Sequence, residues 1–183
     1  MVDQAIREAA NEFFRRTRLW RCDDEFKVSR QEDEFVAAPS GSAIFEFEDV
    51  RFNGDIVEPK SIAWLNDNVP RWRELEADMP KWVTQTSPNT LRLVPGAAGT
   101  VSVSLFLELS NEAERAPDFM INQHAKLIAD GALGELFTIP GDHANPGLAQ
   151  FHTNRFQARL DSLFDSHAAG QQSAPTRTRA RFL

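Results

Sequence analysis

The chain has 183 residues, 42% of them hydrophobic, and a formal charge of −7 from 20 Lys and Arg against 27 Asp and Glu. That balance sets aside both disorder and a broadly basic nucleic-acid-binding surface. No run approaches the roughly 18 apolar residues of a membrane-crossing helix, and the single cysteine, Cys22, allows no internal disulfide and agrees with synthesis in a reducing cytoplasm.

Charge and proline divide the chain. Residues 1–21 carry +2, residues 22–60 carry −7, residues 61–165 carry −5 and residues 166–183 carry +3, an acidic body between two basic ends. Arg7, Arg15 and Arg16 precede no apolar core of the kind a secretory signal needs. Long helices belong in the proline-free windows, because an interior Pro costs about 3 kcal/mol. Asp3 is placed to cap a helix to about Arg18, with Ile6, Ala10, Phe13 and Thr17 on its apolar face. The acidic runs Asp23-Asp24-Glu25 and Glu32-Asp33-Glu34 read as a solvated face. Residues 43–52 and 55–65 are expected to form a hairpin through Asn53-Gly54. Residues 66–80 read as a loop with one helical turn around Arg73 to Ala77. Lys81 to Thr86 is expected to pair with a strand holding Leu91 and Leu93 through the turn Ser87-Pro88-Asn89. Pro95 to Gly99 then leads into the clearest strand, where Val101, Val103, Leu105, Leu107 and Leu109 alternate with Ser102, Ser104, Phe106 and Glu108.

After Pro117, Asp118 is placed to cap a second helix to about Phe137, with Ile121, Ala125, Ile128, Ala132 and Leu136 as its stripe. Gly131 and Gly134 each weaken that helix by about 1 kcal/mol, which a close helix crossing would explain. Asn145-Pro146 is a cap and first-turn pair. The third helix runs to about Ala169, carries Leu148, Phe151, Phe156, Leu160, Leu163 and Phe164, and stops at Gly170. The expected fold is α+β. A small helical bundle, an N-terminal helix plus two C-terminal helices, is built from 1–21 and 110–169. An antiparallel β-sheet domain is inserted at 22–109, and an extended basic C-terminal arm occupies 170–183. Each helix has one apolar stripe to bury, so the first should pack against the last two.

Catalytic signals are missing. There is no phosphate-binding glycine loop and no G-x-S-x-G serine, and Gly96-Ala97-Ala98-Gly99 reads as a turn. Acidic neighbours raise the Cys22 pKa, which suits a packing or solvent-facing thiol better than a nucleophile. His124, His143, His152 and His167 form no metal motif; His124 facing His152, with Asp142 next to His143, is the route to one, and histidines on helix surfaces and in loops explain all four. No catalytic residue, metal or cofactor is expected. Trp64, Trp72 and Trp82 surround one loop. Base stacking would need a basic groove, and Arg71, Arg73 and Lys81 are offset by Glu74, Glu76 and Asp78, so the three read as core or protein-interface anchors. In the arm, Arg177, Arg179 and Arg181 share one face of an extended chain, followed by the apolar Phe182 and Leu183. Such a segment suits docking into acidic, aromatic-lined grooves and ordering on binding, though it could instead touch DNA or be inert.

Three stretches carry a family resemblance. The first is Ala5-Ile6-Arg7-Glu8-Ala9-Ala10-Asn11-Glu12-Phe13 running on to Thr17-Arg18-Leu19-Trp20. The second is Leu91-Arg92-Leu93-Val94-Pro95, a short turn and the alternating strand Val101 to Leu109. The third is Ile128-Ala129-Asp130-Gly131-Ala132-Leu133-Gly134-Glu135-Leu136, then Ile139-Pro140-Gly141, Asn145-Pro146 and a helix with Phe156. Together they resemble the head-to-tail adaptor proteins of short-tailed bacteriophages, the tail tubular protein A group. The resemblance implies a structural virion protein of the neck. In that family a ring of the protein, dodecameric, sits under the portal protein and carries the tail nozzle protein, and genomic DNA passes through the lumen without specific binding. It implies no catalysis, no cofactor and no membrane. In that setting Arg177, Arg179, Arg181, Phe182 and Leu183 are the portal-binding candidates, and Trp64, Trp72 and Trp82 are candidates for nozzle or subunit contacts. Acidic segments 22–34 and 46–58 would line either the lumen or an outer solvated face. The alternatives are a neck or head-completion connector of a long-tailed phage and a small nucleic-acid-processing enzyme.

Overall fold

A computed structural model describes residues 1–29 and 35–168; the arm with Arg177, Arg179, Arg181, Phe182 and Leu183 lies outside the described residues. In chain order the elements are helix α1 (Val2–Thr17), strands β1 (Arg21–Val28), β2 (Phe35–Val36), β3 (Ser42–Phe52), β4 (Asp55–Ile56) and β5 (Glu58–Pro59), helix α2 (Ile62–Asn68), a 3₁₀ turn at Trp72–Glu74, strands β6 (Trp82–Thr84), β7 (Thr90–Val94) and β8 (Gly99–Leu109), and helices α3 (Asp118–Leu136) and α4 (Pro146–Ala168). The fold is α+β. The chain forms two compact units, one of Met1–Thr17 with the chain from Ala116 onward, the other Arg18–Arg115.

In Arg18–Arg115, two four-stranded sheets, ordered β1-β8-β3-β4 and β2-β7-β6-β5, enclose one core. The alternation in β8 explains why. Val101, Val103, Leu105, Leu107 and Leu109 are buried, and the residues between them face outward. β8 pairs antiparallel with β1 from Arg21↔Phe106 to Val28↔Gly99 and with β3 from Ser42↔Leu109 to Phe52↔Val101. Two register shifts in β3, between Ile44 and Glu46 and between Phe47 and Asp49, are bulges that let Ser42–Phe52 pair with the shorter stretch Val101–Leu109 of β8.

Several expectations change here. Strand β1 lies in the stretch read only as an acidic solvated face. Its charges are tolerated because it is an edge strand, with Cys22, Phe26 and Val28 directed to the core side. The Asn53-Gly54 turn forms, with φ of +50° and +92° suiting a two-residue hairpin. Its second strand ends at Ile56, however, and does not reach residue 65. Val57 turns into the core, Glu58–Pro59 pairs in parallel with β6 in the other sheet, and Ser61 caps α2 by accepting from the Trp64 N–H at 3.2 Å. Pro59 cannot continue a central strand, and a Ser cap favours a helix start. The expected pairing of 81–86 with the Leu91 strand is present as β6 and β7, whereas the helical turn read at 73–77 lies at Trp72–Glu74.

In the helical unit, α1 packs against both α3 and α4, and α3 against α4. The buried face of α1 is Ala5, Ala9, Ala10, Phe13, Phe14 and Thr17, and Ile6 is 42% exposed rather than buried. Small residues win that face because α1 approaches α3 closely: a Cβ at Gly131 would stand 2.8 Å from Ala9 Cβ and 3.0 Å from the Phe156 ring. A Cβ at Gly134 would stand 2.6 Å from Thr153 Oγ1. The α3 stripe is likewise rotated, burying Met120, Leu127, Ile128 and Ala132 and leaving Ile121 53% exposed. Pro117 rather than Asp118 occupies the cap position of α3. Asn145 caps α4, accepting from the Leu148 N–H at 3.1 Å. Phe156 and Leu160 are buried, and Leu148, Phe151 and Phe164 are exposed.

Gly134→Ala gains about 1 kcal/mol of helix propensity but forces Thr153 away, and overpacking costs about 1–3 kcal/mol. Urea unfolding followed by circular dichroism is expected to show a net loss of stability, and a larger one for Gly131→Ala, where the obstacle is the rigid Ala9 methyl and the Phe156 ring.

Candidate functional site

The three tryptophans separate into two environments within the sandwich unit. Trp72 is 2% exposed, and its Nε1–H donates to Asn66 Oδ1 at 2.9 Å. The Arg73 and Arg92 guanidiniums lie 4.1 and 5.5 Å from its ring centroid. Trp72 therefore anchors a small core with Leu65, Val69 and Val94. Trp64 and Trp82 are half-buried against that core with ring centroids 5.5 Å apart, and the Lys60 ammonium sits 4.9 Å from the Trp64 ring. Two indoles and an aliphatic-stemmed cation thus share one partly open patch, the composition of an interface anchor.

The outer face of β1, β8 and β3 is a lattice of charge. Arg21 bonds Glu48 at 2.7 Å and Asp23 at 3.2 Å, and Arg18 grips both Glu46 oxygens at 3.0 and 2.7 Å. The Ser104 hydroxyl donates to Asp23 at 2.5 Å and the Ser102 hydroxyl to Glu25 at 3.0 Å. A shallow depression there is lined by Asp23, Asp24, Glu25, Asp49 and Arg51. Exposed pairs of this kind contribute at most about 1 kcal/mol each to stability; their larger effect is the negative field over the sheet face. On the core side of the same strand, burial and then Asp24 and Asp23 push the Cys22 thiol up, so it is a poor nucleophile.

The helical unit has two chemically different flanks. On one, Asp130 of α3 is only 5% exposed. Its Oδ1 lies 2.9 Å from His152 Nδ1, and its Oδ2 lies 3.3 Å from Arg155 and 3.8 Å from Arg159. Oδ2 is buried without a hydrogen bond of good geometry, so the two half-exposed guanidiniums balance it at longer range. Phe137 stacks on His152, and Phe151 packs edge-on against it. On the other flank, a groove of about 440 Å³ is lined by Glu8, Glu12, Glu135, Thr138, Thr153 and Gln157. Burial, the Glu8 charge and a hydrogen bond with Glu8 hold the Glu135 carboxyl above its ordinary value. Gln157 donates to Glu12 at 2.6 Å.

Sequence patterning did not single out Asp130, Glu135, Arg155 or Arg159. A lone Asp between apolar helix positions carries no motif, and only the crossing of α3 and α4 brings it to the arginines. The histidines do not converge: His124 packs on Phe13 while His152 bonds Asp130. Among the described residues, no group of three or more His, Cys, Asp or Glu side chains is arranged to hold a metal ion, and no helix is long and apolar enough to cross a membrane.

A raised carboxyl pKa means that the fold prefers Glu135 protonated. That preference contributes stability below the ordinary value of 4.5 and loses it as pH rises through the folded value. Glu135→Gln is therefore expected to raise the melting temperature at pH 7 and to leave it unchanged near pH 3.5, where both side chains are neutral. A melting series across that range by circular dichroism checks the sign.

A family model described as SU10 adaptor protein matches residues 1–181 of the chain. No curated protein matches it.

Proposed function

The chain belongs to the SU10 adaptor protein family and is a structural adaptor of a phage particle, and on that premise we propose that it is one subunit of a head-to-tail adaptor ring. The ring docks under the portal of a short-tailed phage, carries the tail nozzle, and lets the genome pass. The family match over residues 1–181 carries this reading, and the site chemistry is compatible with it. The exposed surfaces offer charge lattices and aromatic anchors suited to protein partners.

Within that role the parts divide by chemistry. The basic arm, with Arg177, Arg179, Arg181, Phe182 and Leu183, supplies guanidinium forks and an apolar end for acidic, aromatic-lined grooves of the portal. The Trp64–Trp82 patch suits a contact with the nozzle or a neighbouring subunit, where half-buried indoles dominate binding energy. The carboxylate lattice on β1 and β3 suits a surface past which DNA slides, because like charge repels phosphate and keeps counterion-release binding low.

Deletion of residues 171–183 is expected to leave a folded, soluble subunit that no longer joins portal-bearing heads. Sedimentation of heads with the truncated chain, followed by negative-stain imaging of the neck, reads this directly. Wild-type joining by the truncated chain would overturn the docking role of the arm. Rings seen on long-tailed particles instead would favour the head-completion reading.

A further inference from the structure

The helical unit presents two surfaces of opposite character on opposite flanks of the α3–α4 pair. Along α4, Thr153 and Gln157 line the acidic groove, while His152, Arg155 and Arg159 point to Asp130 on the other side. Next to these cations the first turns of α4 leave Leu148 and Phe151 in solvent, Phe151 at 52% exposure, with the Arg155 guanidinium 5.4 Å from the Phe151 ring. A large exposed aromatic under a guanidinium is the composition of an interface core rather than of a free surface. Across the molecule, Glu8, Glu12 and Glu135 gather around a floor that Gly131 and Gly134 keep low. Within one subunit that groove holds carboxylates near one another, with amides from Gln4 and Gln157 as hydrogen-bond donors.

The geometry points to a front-to-back contact between copies of this chain: the Leu148–Phe151–Arg155–Arg159 flank of one subunit seats in the Glu8–Glu12–Glu135 groove of the next. This rests on the reading of the chain as a self-associating subunit and names the surfaces that associate. Charge complementarity selects the occupant. A groove with three carboxylates accepts guanidinium forks, and the molecule carries such forks beside an uncovered aromatic on the flank that the groove does not use. Because the two surfaces differ and lie on different flanks, the contact leaves a fresh groove and a fresh flank at each end. It therefore propagates rather than stopping at a two-fold dimer, and it is the kind of contact from which a ring is built when the rotation between neighbours closes. The neighbour also completes the groove, since its arginines would offset the like charges of Glu8, Glu12 and Glu135 that the lone subunit gathers there.

The test uses the full chain, followed by sedimentation velocity in solution and by imaging on portal-bearing heads. Glu8→Gln with Glu135→Gln is expected to raise the melting temperature of the lone subunit at pH 7 while weakening association at least about tenfold. A purely structural role would not move the two in opposite directions. Phe151→Ser weakens association to a similar degree without touching Asp130, which guards against loss of folding in Arg155→Glu with Arg159→Glu. Mixed together, a groove variant and a flank variant keep one good junction and stop at dimers. Wild-type assembly by all of these variants would overturn the contact and leave the ring reading standing. A wild-type chain that stays monomeric in solution and binds portal as separate single copies would overturn the ring reading and this contact with it.

Discussion

Strand β8 must satisfy two neighbours at once while turning four aliphatic side chains, Val101, Val103, Leu105 and Leu107, into one core, and most of the sandwich follows from that requirement. Because β1 and β3 both pair with it, their facing residues inherit its two-residue alternation. The bulges in β3 take up the mismatch between two eleven-residue strands that must also twist. The start of β8 is pinned in the same way. Gly99 leaves room for the Phe52 ring, and Asn53 accepts from the Thr100 N–H at 2.9 Å while donating its own N–H to Thr100 O at 2.8 Å. The tight hairpin and the central strand thus hold each other in register.

A comparable constraint governs the helices. Two glycines one turn apart let α1 and α4 sit close on α3, and the closeness sets the electrostatics around them. Asp130 immediately precedes Gly131, so the turn that presses hardest on its neighbours also carries a carboxylate into the gap between α3 and α4. There His152, Arg155 and Arg159 surround it. A buried carboxylate needs such compensation, and arrangements of this kind specify one packing more than they stabilise it. On the opposite side the same approach brings Glu8 and Glu135 within hydrogen-bonding reach.

These features describe a protein whose business is contact. Among the described residues, ion pairs and hydrogen bonds link neighbouring strands on the open face of β1, β8 and β3, and Asp130 gathers His152, Arg155 and Arg159 between the last two helices. On the proposed reading, the negative field on one sheet face and the half-buried indoles elsewhere serve to choose and position macromolecular partners. That is the working need of a phage adaptor.

Elements whose signals are local were legible from residues alone. The β8 alternation, the Asn53-Gly54 turn, the Asn145-Pro146 helix start and the small residues at 131 and 134 each depend on near neighbours in the chain. What depended on distant partners was not legible. β1 reads as an acidic solvated face, with no strand assigned, until β8 lies beside it, because edge strands tolerate charge that isolated propensity penalises. The segment after Asn53-Gly54 divides between two sheets and a capped helix because Val57 has a core to enter. Ile6 and Ile121 face solvent although each opens an apolar stripe, because the close approach at Gly131 turns Ala9 of α1 and Ile128 of α3 inward instead. The sequence by itself determined the α+β class, the approximate starts of the first helix and the last two, and the strand at the centre of the core, all set within a few residues of chain. Only the tertiary structure decided which side of each helix is inside and which charges meet, because both are set by how near one element comes to another.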